Sequence, residues 1–119
     1  MIAIVDDDES FRKAITSFVR SLGYIATAFA SAEAFLKSDS MQDVDCVITD
    51  VQMPGMTGIE LQGHLVAQGR QLPIIFMTAF PEMKARARAL TAGAVGFLEK
   101  PFSDQKLMSC LDQALARAS

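Results

Sequence analysis

The sequence has no tryptophan, one tyrosine, one histidine and only two cysteines. The one histidine, His64, falls mid-helix among polar neighbours and reads as a solvated surface side chain. No serine–histidine or cysteine–histidine pair is therefore available for nucleophilic catalysis. Cys46 and Cys110 lie in apolar surroundings, offer no metal-ligand spacing and no disulfide framework, and read as small buried thiols. That usage fits a reducing, cytoplasmic compartment. No apolar run approaches the roughly 20 residues that cross a bilayer. The opening Met1-Ile2-Ala3-Ile4-Val5 meets acids too soon to be a secretory signal. Positive charge is scarce as well: 11 Lys and Arg against 14 Asp and Glu, for a net charge of −3. A basic surface for phosphate backbones is missing, so direct contact of this domain with nucleic acid is not expected, and neither is membrane contact.

There is no Pro/Gly-rich linker, no low-complexity tract and no close repeat. What is present is a globular composition, half apolar over 119 residues. That fits one domain, residues 1–119, large enough to carry a core without covalent staples.

Short apolar runs alternate with longer stretches of helical periodicity. Strands are expected at 2–5, 24–28, 44–49, 73–77 and 95–98. Phe11, Ile15, Phe18, Val19 and Leu22 form one stripe of a first helix, ended by Gly23. Ser31 caps a short second helix. Ile59, Leu61, Leu65 and Val66 mark a third, up to Gly69. Pro81 suits the first turn of a fourth, with Met83, Ala87 and Leu90 as its inner stripe. Ser103 or Asp104 opens a fifth, packed through Leu107, Met108, Leu111, Ala114 and Leu115. Five strands alternating with five helices predict an α/β fold: a parallel sheet, doubly wound, with helices on both faces.

In such sheets the crevice that works lies outside the carboxyl ends of the strands. Asp6, Asp7 and Asp8 follow the first strand, Asp50 the third, Thr78 the fourth, and Lys100-Pro101 the fifth. Taken singly, each has an ordinary account as a turn residue, a cap or an exposed lysine. Together they would gather carboxylates, a hydroxyl and an ammonium at one edge. Neighbouring carboxylates repel by about 4 kcal/mol at a protein-like dielectric. A hard divalent cation such as Mg²⁺, held by one or two carboxylates, offsets that repulsion. Asp8 suits the N-cap of the first helix, and Glu9 its positive end. A metal and a lysine around a carboxylate suggest phosphoryl chemistry, with Asp50 the best nucleophile.

Asp6-Asp7, the run Ile48-Thr49-Asp50-Val51-Gln52-Met53-Pro54-Gly55-Met56-Thr57-Gly58, Thr78-Ala79 and Lys100-Pro101-Phe102 together resemble the receiver domain of bacterial two-component response regulators. The texture of residues 32–36 and 92–102 is similar to the FixJ-like subgroup. The resemblance covers nearly the whole chain. It implies a flavodoxin-like strand order, 2-1-3-4-5, and a regulatory phosphoacceptor rather than an enzyme. By this likeness Asp50 would take a phosphoryl group from a phosphohistidine of a sensor histidine kinase. Asp7, Asp50 and the backbone carbonyl of Gln52 would hold Mg²⁺ (Mn²⁺ in substitution), with Asp6 acting through a metal-bound water. Lys100 would pair with Asp50 and then with the phosphoryl oxygens, and Thr78 and Phe97 would be the switch pair. Gln52 and Phe80 would tune how long the phosphate survives, and the Lys100–Pro101 bond would be cis. Phosphorylation would act through the face of the fourth helix, fifth strand and fifth helix. That face could form a homodimer or control a C-terminal DNA-binding output domain, and so transcription.

Phe97 stands where many receivers have tyrosine, so no hydroxyl is available there. Two rivals share parts of the pattern. Asp6-x-Asp8-x-Ser10 resembles the opening motif of haloacid-dehalogenase-type phosphatases, in which Asp6 would carry the phosphoryl group. A flavodoxin-like cofactor binder would share the sheet, but three aspartates stand where its phosphate loop should be.

Overall fold

The computed structural model describes residues 1–118. Its elements alternate as β1 (Ile2–Val5), α1 (Glu9–Ser21), β2 (Ala26–Phe29), α2 (Ala32–Leu36), a 3-10 turn (Asp39–Asp43), β3 (Cys46–Asp50), α3 (Gly58–Ala67), β4 (Ile74–Thr78), α4 (Met83–Thr91), β5 (Gly96–Glu99) and α5 (Asp104–Ala118). The five strands form one sheet in the order β2-β1-β3-β4-β5, and every neighbouring pair is parallel. This is the expected doubly wound, flavodoxin-like arrangement.

Alternation along each strand splits the core into two layers. Ala3, Val5, Val47, Ile74 and Phe76 pack with Phe35, Leu61, Leu65 and Ala89, so α2, α3 and α4 cover that face. Ile2, Ile4, Cys46, Ile48, Ile75 and Met77 pack with Ile15, Val19, Leu107 and Leu111, so α1 and α5 cover the other. With both faces covered, the strands read as continuous apolar runs.

Helix starts follow local chemistry. Asp8 accepts the Phe11 amide at 3.1 Å, Ser31 accepts Ala34 at 3.0 Å, and Ser103 Oγ accepts Lys106 at 3.2 Å. Thr57 and Glu60 exchange a full capping box at the head of α3. Gly23 and Gly93, at φ +95° and +101°, end α1 and α4 in the left-handed region where a Cβ is strained.

Several expected boundaries move by one or two residues. The larger correction concerns α4. Met83 is 90% exposed, Leu90 is 42% exposed and Ala87 faces solvent, whereas Ala85 and Ala89 pack inward. Pro81 precedes the helix, whose N-cap is Glu82. Residues 83, 87 and 90 do share a face, as periodicity requires. Which face meets the sheet is decided by the small residues, because Ala89 lets α4 close on α3, where buried Gln62 donates from Nε2 to the Ala89 carbonyl at 3.1 Å. Met108, expected on the packed side of α5, is likewise 41% exposed.

Candidate functional site

β1, β3, β4 and β5 deliver their last residues to one edge. Asp6 directly follows β1 and is fully buried; Asp50 is the final residue of β3 and 7% exposed; Asp7 faces solvent. One carboxylate oxygen from each of these three lies within 4.8 Å of the others. Lys100, the residue after β5, reaches between two of them. Its Nζ donates to Asp50 Oδ2 at 2.8 Å and to Asp6 Oδ2 at 2.9 Å. The remaining oxygens are also used: Asp6 Oδ1 accepts the Asp8 amide and Asp50 Oδ1 accepts the Gln52 amide, at 2.9 and 3.0 Å.

Burial pushes the Asp6 carboxyl up from its ordinary value, more strongly than the Asp8 amide and the Lys100 ammonium lower it. Burial alone would depress Lys100, yet its hydrogen bonds to Asp50 and Asp6, with their charges, carry it above its ordinary value. The ammonium thus stays charged between Asp6 and Asp50.

Thr78 ends β4, fully buried, one position beyond Met77, the register partner of Asp50. Its Oγ1 accepts the Phe80 amide at 3.0 Å, and its carbonyl accepts the Lys100 amide at 2.7 Å. The Lys100–Pro101 bond is cis. Phe97 is half-buried against Phe76, ring centroids 6.0 Å apart, while Phe80 is 69% exposed.

Three contributors were not assigned to the site from the sequence. Phe11, read only as core, sets its ring 4.1 Å from Lys100 Nζ and stacks edge-on against Phe102 at 5.8 Å. Arg12 donates from Nη1 to the Asp6 carbonyl at 2.8 Å. Gly58 lies so close to the strand end that a Cβ there would stand 2.2 Å from the Asp50 carbonyl oxygen. The glycine in the string was a visible signal for that close approach; the other two contacts carry no motif.

His64 is exposed on α3, as expected. Burial, followed by the nearby Asp45 and Cys110, pushes the Cys46 thiol up to about 12, which makes it a poor nucleophile.

The sequence profile described as "Response regulator receiver domain" matches residues 2–112. The chain belongs to that family. This receiver is 39% identical over 118 residues to the response regulator protein TmoT of Ectopseudomonas mendocina, covering 99% of the chain and 54% of TmoT. It is 38% identical over 117 residues to the transcriptional regulatory protein FixJ of Bradyrhizobium diazoefficiens, covering 98% of the chain and 57% of FixJ. The crystal structure of a receiver protein from Pseudoalteromonas atlantica superposes with a TM-score of 0.90 at 31% identity, over 99% of this chain and 98% of that one. The receiver therefore spans about half the length of the curated relatives it matches. Family membership decides against the phosphatase and flavodoxin-like readings. Among the described residues, no helix is long and apolar enough to cross a membrane.

The three-carboxylate cluster suits a hard divalent cation: all its donors are oxygens, and exposed Asp7 leaves one side open to water.

Proposed function

We propose that this receiver is a phosphorylation switch in which Asp50 accepts a phosphoryl group from the phosphohistidine of a sensor histidine kinase. The observation that carries the reading is the placement of the Lys100 ammonium between Asp50 and Asp6, beside the Asp6–Asp7–Asp50 oxygen cluster. An Asp50 carboxylate oxygen attacks phosphorus, the N–P bond breaks, and the imidazole leaves with the bonding pair. Lys100 then exchanges its bond to Asp50 for one to a phosphoryl oxygen, held in place by Asp6 and by the Phe11 ring.

Asp7, Asp50 and the backbone carbonyl of Gln52 would hold Mg²⁺ or Mn²⁺, with Asp6 acting through a bound water. When bound, the cation neutralises the carboxylates and draws charge from the phosphoryl oxygens. The Thr78 hydroxyl, next along the sheet edge, turns to donate to a phosphoryl oxygen, and Phe97 follows into the space near Phe76. A phosphoryl group shifts the balance between two states only by contacts that differ between them. Thr78 and Phe97 supply that difference. Gln52 and Phe80, two residues beyond Asp50 and Thr78, set access of water to the acyl phosphate.

The readout face is α4-β5-α5. Exposed Met83, Leu90 and Met108 give it apolar anchors, and Lys84, Arg86 and Arg88 ring α4 with charge. Phosphorylation favours a homodimer through this face, and in a longer protein it would govern a DNA-binding output domain in the cytoplasm. The name of FixJ as a transcriptional regulatory protein supports an output in transcription.

The test is incubation with Mg²⁺ and a small acyl-phosphate donor, read by intact mass. Wild type should gain one phosphoryl adduct, and Asp50→Asn should gain none. No adduct on wild type would overturn the reading.

A further inference from the structure

The loop between β3 and α3 leaves Asp50 and returns to it. At its base, the Gln52 amide donates to Asp50 Oδ1, and the Gly58 amide donates to the Val51 carbonyl at 2.9 Å. Its tip is held from elsewhere. Glu33, in the first turn of α2, sends its carboxylate across to Gly55 and Met56. Glu33 Oε2 accepts the Met56 amide at 3.4 Å, a long bond. The same oxygen lies where a Cβ on Gly55 would approach to 2.5 Å, and Gly55 itself has φ +75°. Backbone conformation therefore calls for glycine at this position, and a Cβ there would push the Glu33 carboxylate aside. The other oxygen, Glu33 Oε1, is shut off from solvent and, among the described residues, is the buried side-chain polar atom without a hydrogen-bond partner. Carboxylate oxygens are rarely left so, and each such case calls for an explanation.

We propose that Glu33 is a positioning residue for the phosphorylation site: a latch from α2 that fixes the tip of the Asp50 loop, and with it the Gln52 carbonyl offered to the divalent cation. The latch rests on the proposed function, since the loop matters only if Asp50 and Gln52 work together. Outer residues that orient metal ligands commonly control affinity without touching the metal. Glu33 fits that role because it acts through backbone. It belongs to a different element from every ligand candidate, and its hold on Met56 sets the path of residues 51–57 between two fixed ends. The unpartnered Oε1 is the cost of reaching that far: the carboxylate is placed by its contact with the loop and not by a second partner of its own.

The test compares wild type with Glu33→Ala and Glu33→Gln by two measurements. The first is hydrogen exchange at the Met56 amide in metal-free protein, and the second is Mg²⁺ affinity by titration calorimetry. Glu33→Ala should speed Met56 exchange and weaken Mg²⁺ binding about tenfold. Glu33→Gln, which keeps an oxygen acceptor for Met56, should stay close to wild type in both. Unchanged Met56 exchange in Glu33→Ala would overturn the latch, as would a Glu33→Gln variant as impaired as alanine, which would make charge the working feature. Wild type that binds no Mg²⁺ would overturn the proposed function, while Met56 exchange alone still decides whether Glu33 holds the loop. If Glu33→Ala does not fold, Glu33→Asp, one methylene shorter, serves in its place with the same expected direction.

Discussion

Lys100 Nζ lies 2.8 Å from Asp50 Oδ2, across 50 residues of sequence, and this contact ties the end of the outer strand β5 to the end of the central strand β3. Neither partner is at the surface: their side chains are 12% and 10% exposed. The pair is therefore more than a surface ion pair, and it organises the pocket before any ligand arrives. Replacing Lys100 by Met leaves Asp6 and Asp50 facing each other without a cation. Stability should fall by about 2 kcal/mol, less than for a fully enclosed pair because the pocket opens to water. Denaturant unfolding without metal checks this, and Mg²⁺ should restore part of the loss.

The pH dependence of that contact has a definite sign. The folded pKa of Lys100 is raised above 10.5, so its contribution is fully present below that pH and is lost as pH rises through the folded value. In thermal melts at rising alkaline pH, wild type should lose stability faster than Lys100→Met. Parallel curves would contradict the assignment.

Asp6 has the same sign for a different reason, burial. Burial raises its carboxyl above 3.8, so the ionised form is a burden on the metal-free fold. As pH falls through the raised folded value that burden is relieved; as pH climbs above it the full cost is present. Asp6→Asn keeps an acceptor for the Asp8 amide and leaves Lys100 to Asp50. It should be more stable than wild type at neutral pH without metal, by about 1 kcal/mol, and should gain less from added Mg²⁺. Equal stability from acid to neutral pH would contradict this.

Gly58 tests the close packing behind Asp50. An alanine Cβ would meet the Asp50 carbonyl oxygen at 2.2 Å, and backbone cannot yield as a flexible side chain can. Gly58→Ala should destabilise by about 2–3 kcal/mol and slow phosphoryl uptake by displacing the strand end. Wild-type behaviour in both would mean that the loop relaxes freely.

Much of this architecture was legible in the sequence. Continuous apolar runs such as residues 74–77 mark strands covered on both faces, and the residues that follow such runs fall at one edge wherever the sheet is parallel. Asp6, Asp7, Asp50 and Lys100 could be brought together on that ground alone. The face of α4 could not. Its alanines and its larger residues Met83 and Leu90 share the same helical period, and only packing against α3 shows that the small side is inside. Phe11 was hidden for a related reason, since a core aromatic and a ring beneath an ammonium look the same in one dimension. Glu33 reaches the Asp50 loop from another element, a contact that no local pattern encodes.

Phe80, 69% exposed, stands two residues beyond Thr78, where it would screen the acyl phosphate once Thr78 turns inward. Phe80→Ala should shorten the lifetime of the phosphorylated form by a few-fold, measured by loss of the adduct after removal of the donor. An unchanged lifetime would remove Phe80 from the account.

The most direct test is to trap the acyl phosphate. Wild type treated with Mg²⁺ and a small phosphodonor, reduced with borohydride and digested, should carry the reduced residue at position 50. The yield should drop sharply when the metal is chelated first. Label at Asp6, or none at all in protein shown to bind Mg²⁺, would contradict the claim that this edge of the sheet loads Asp50.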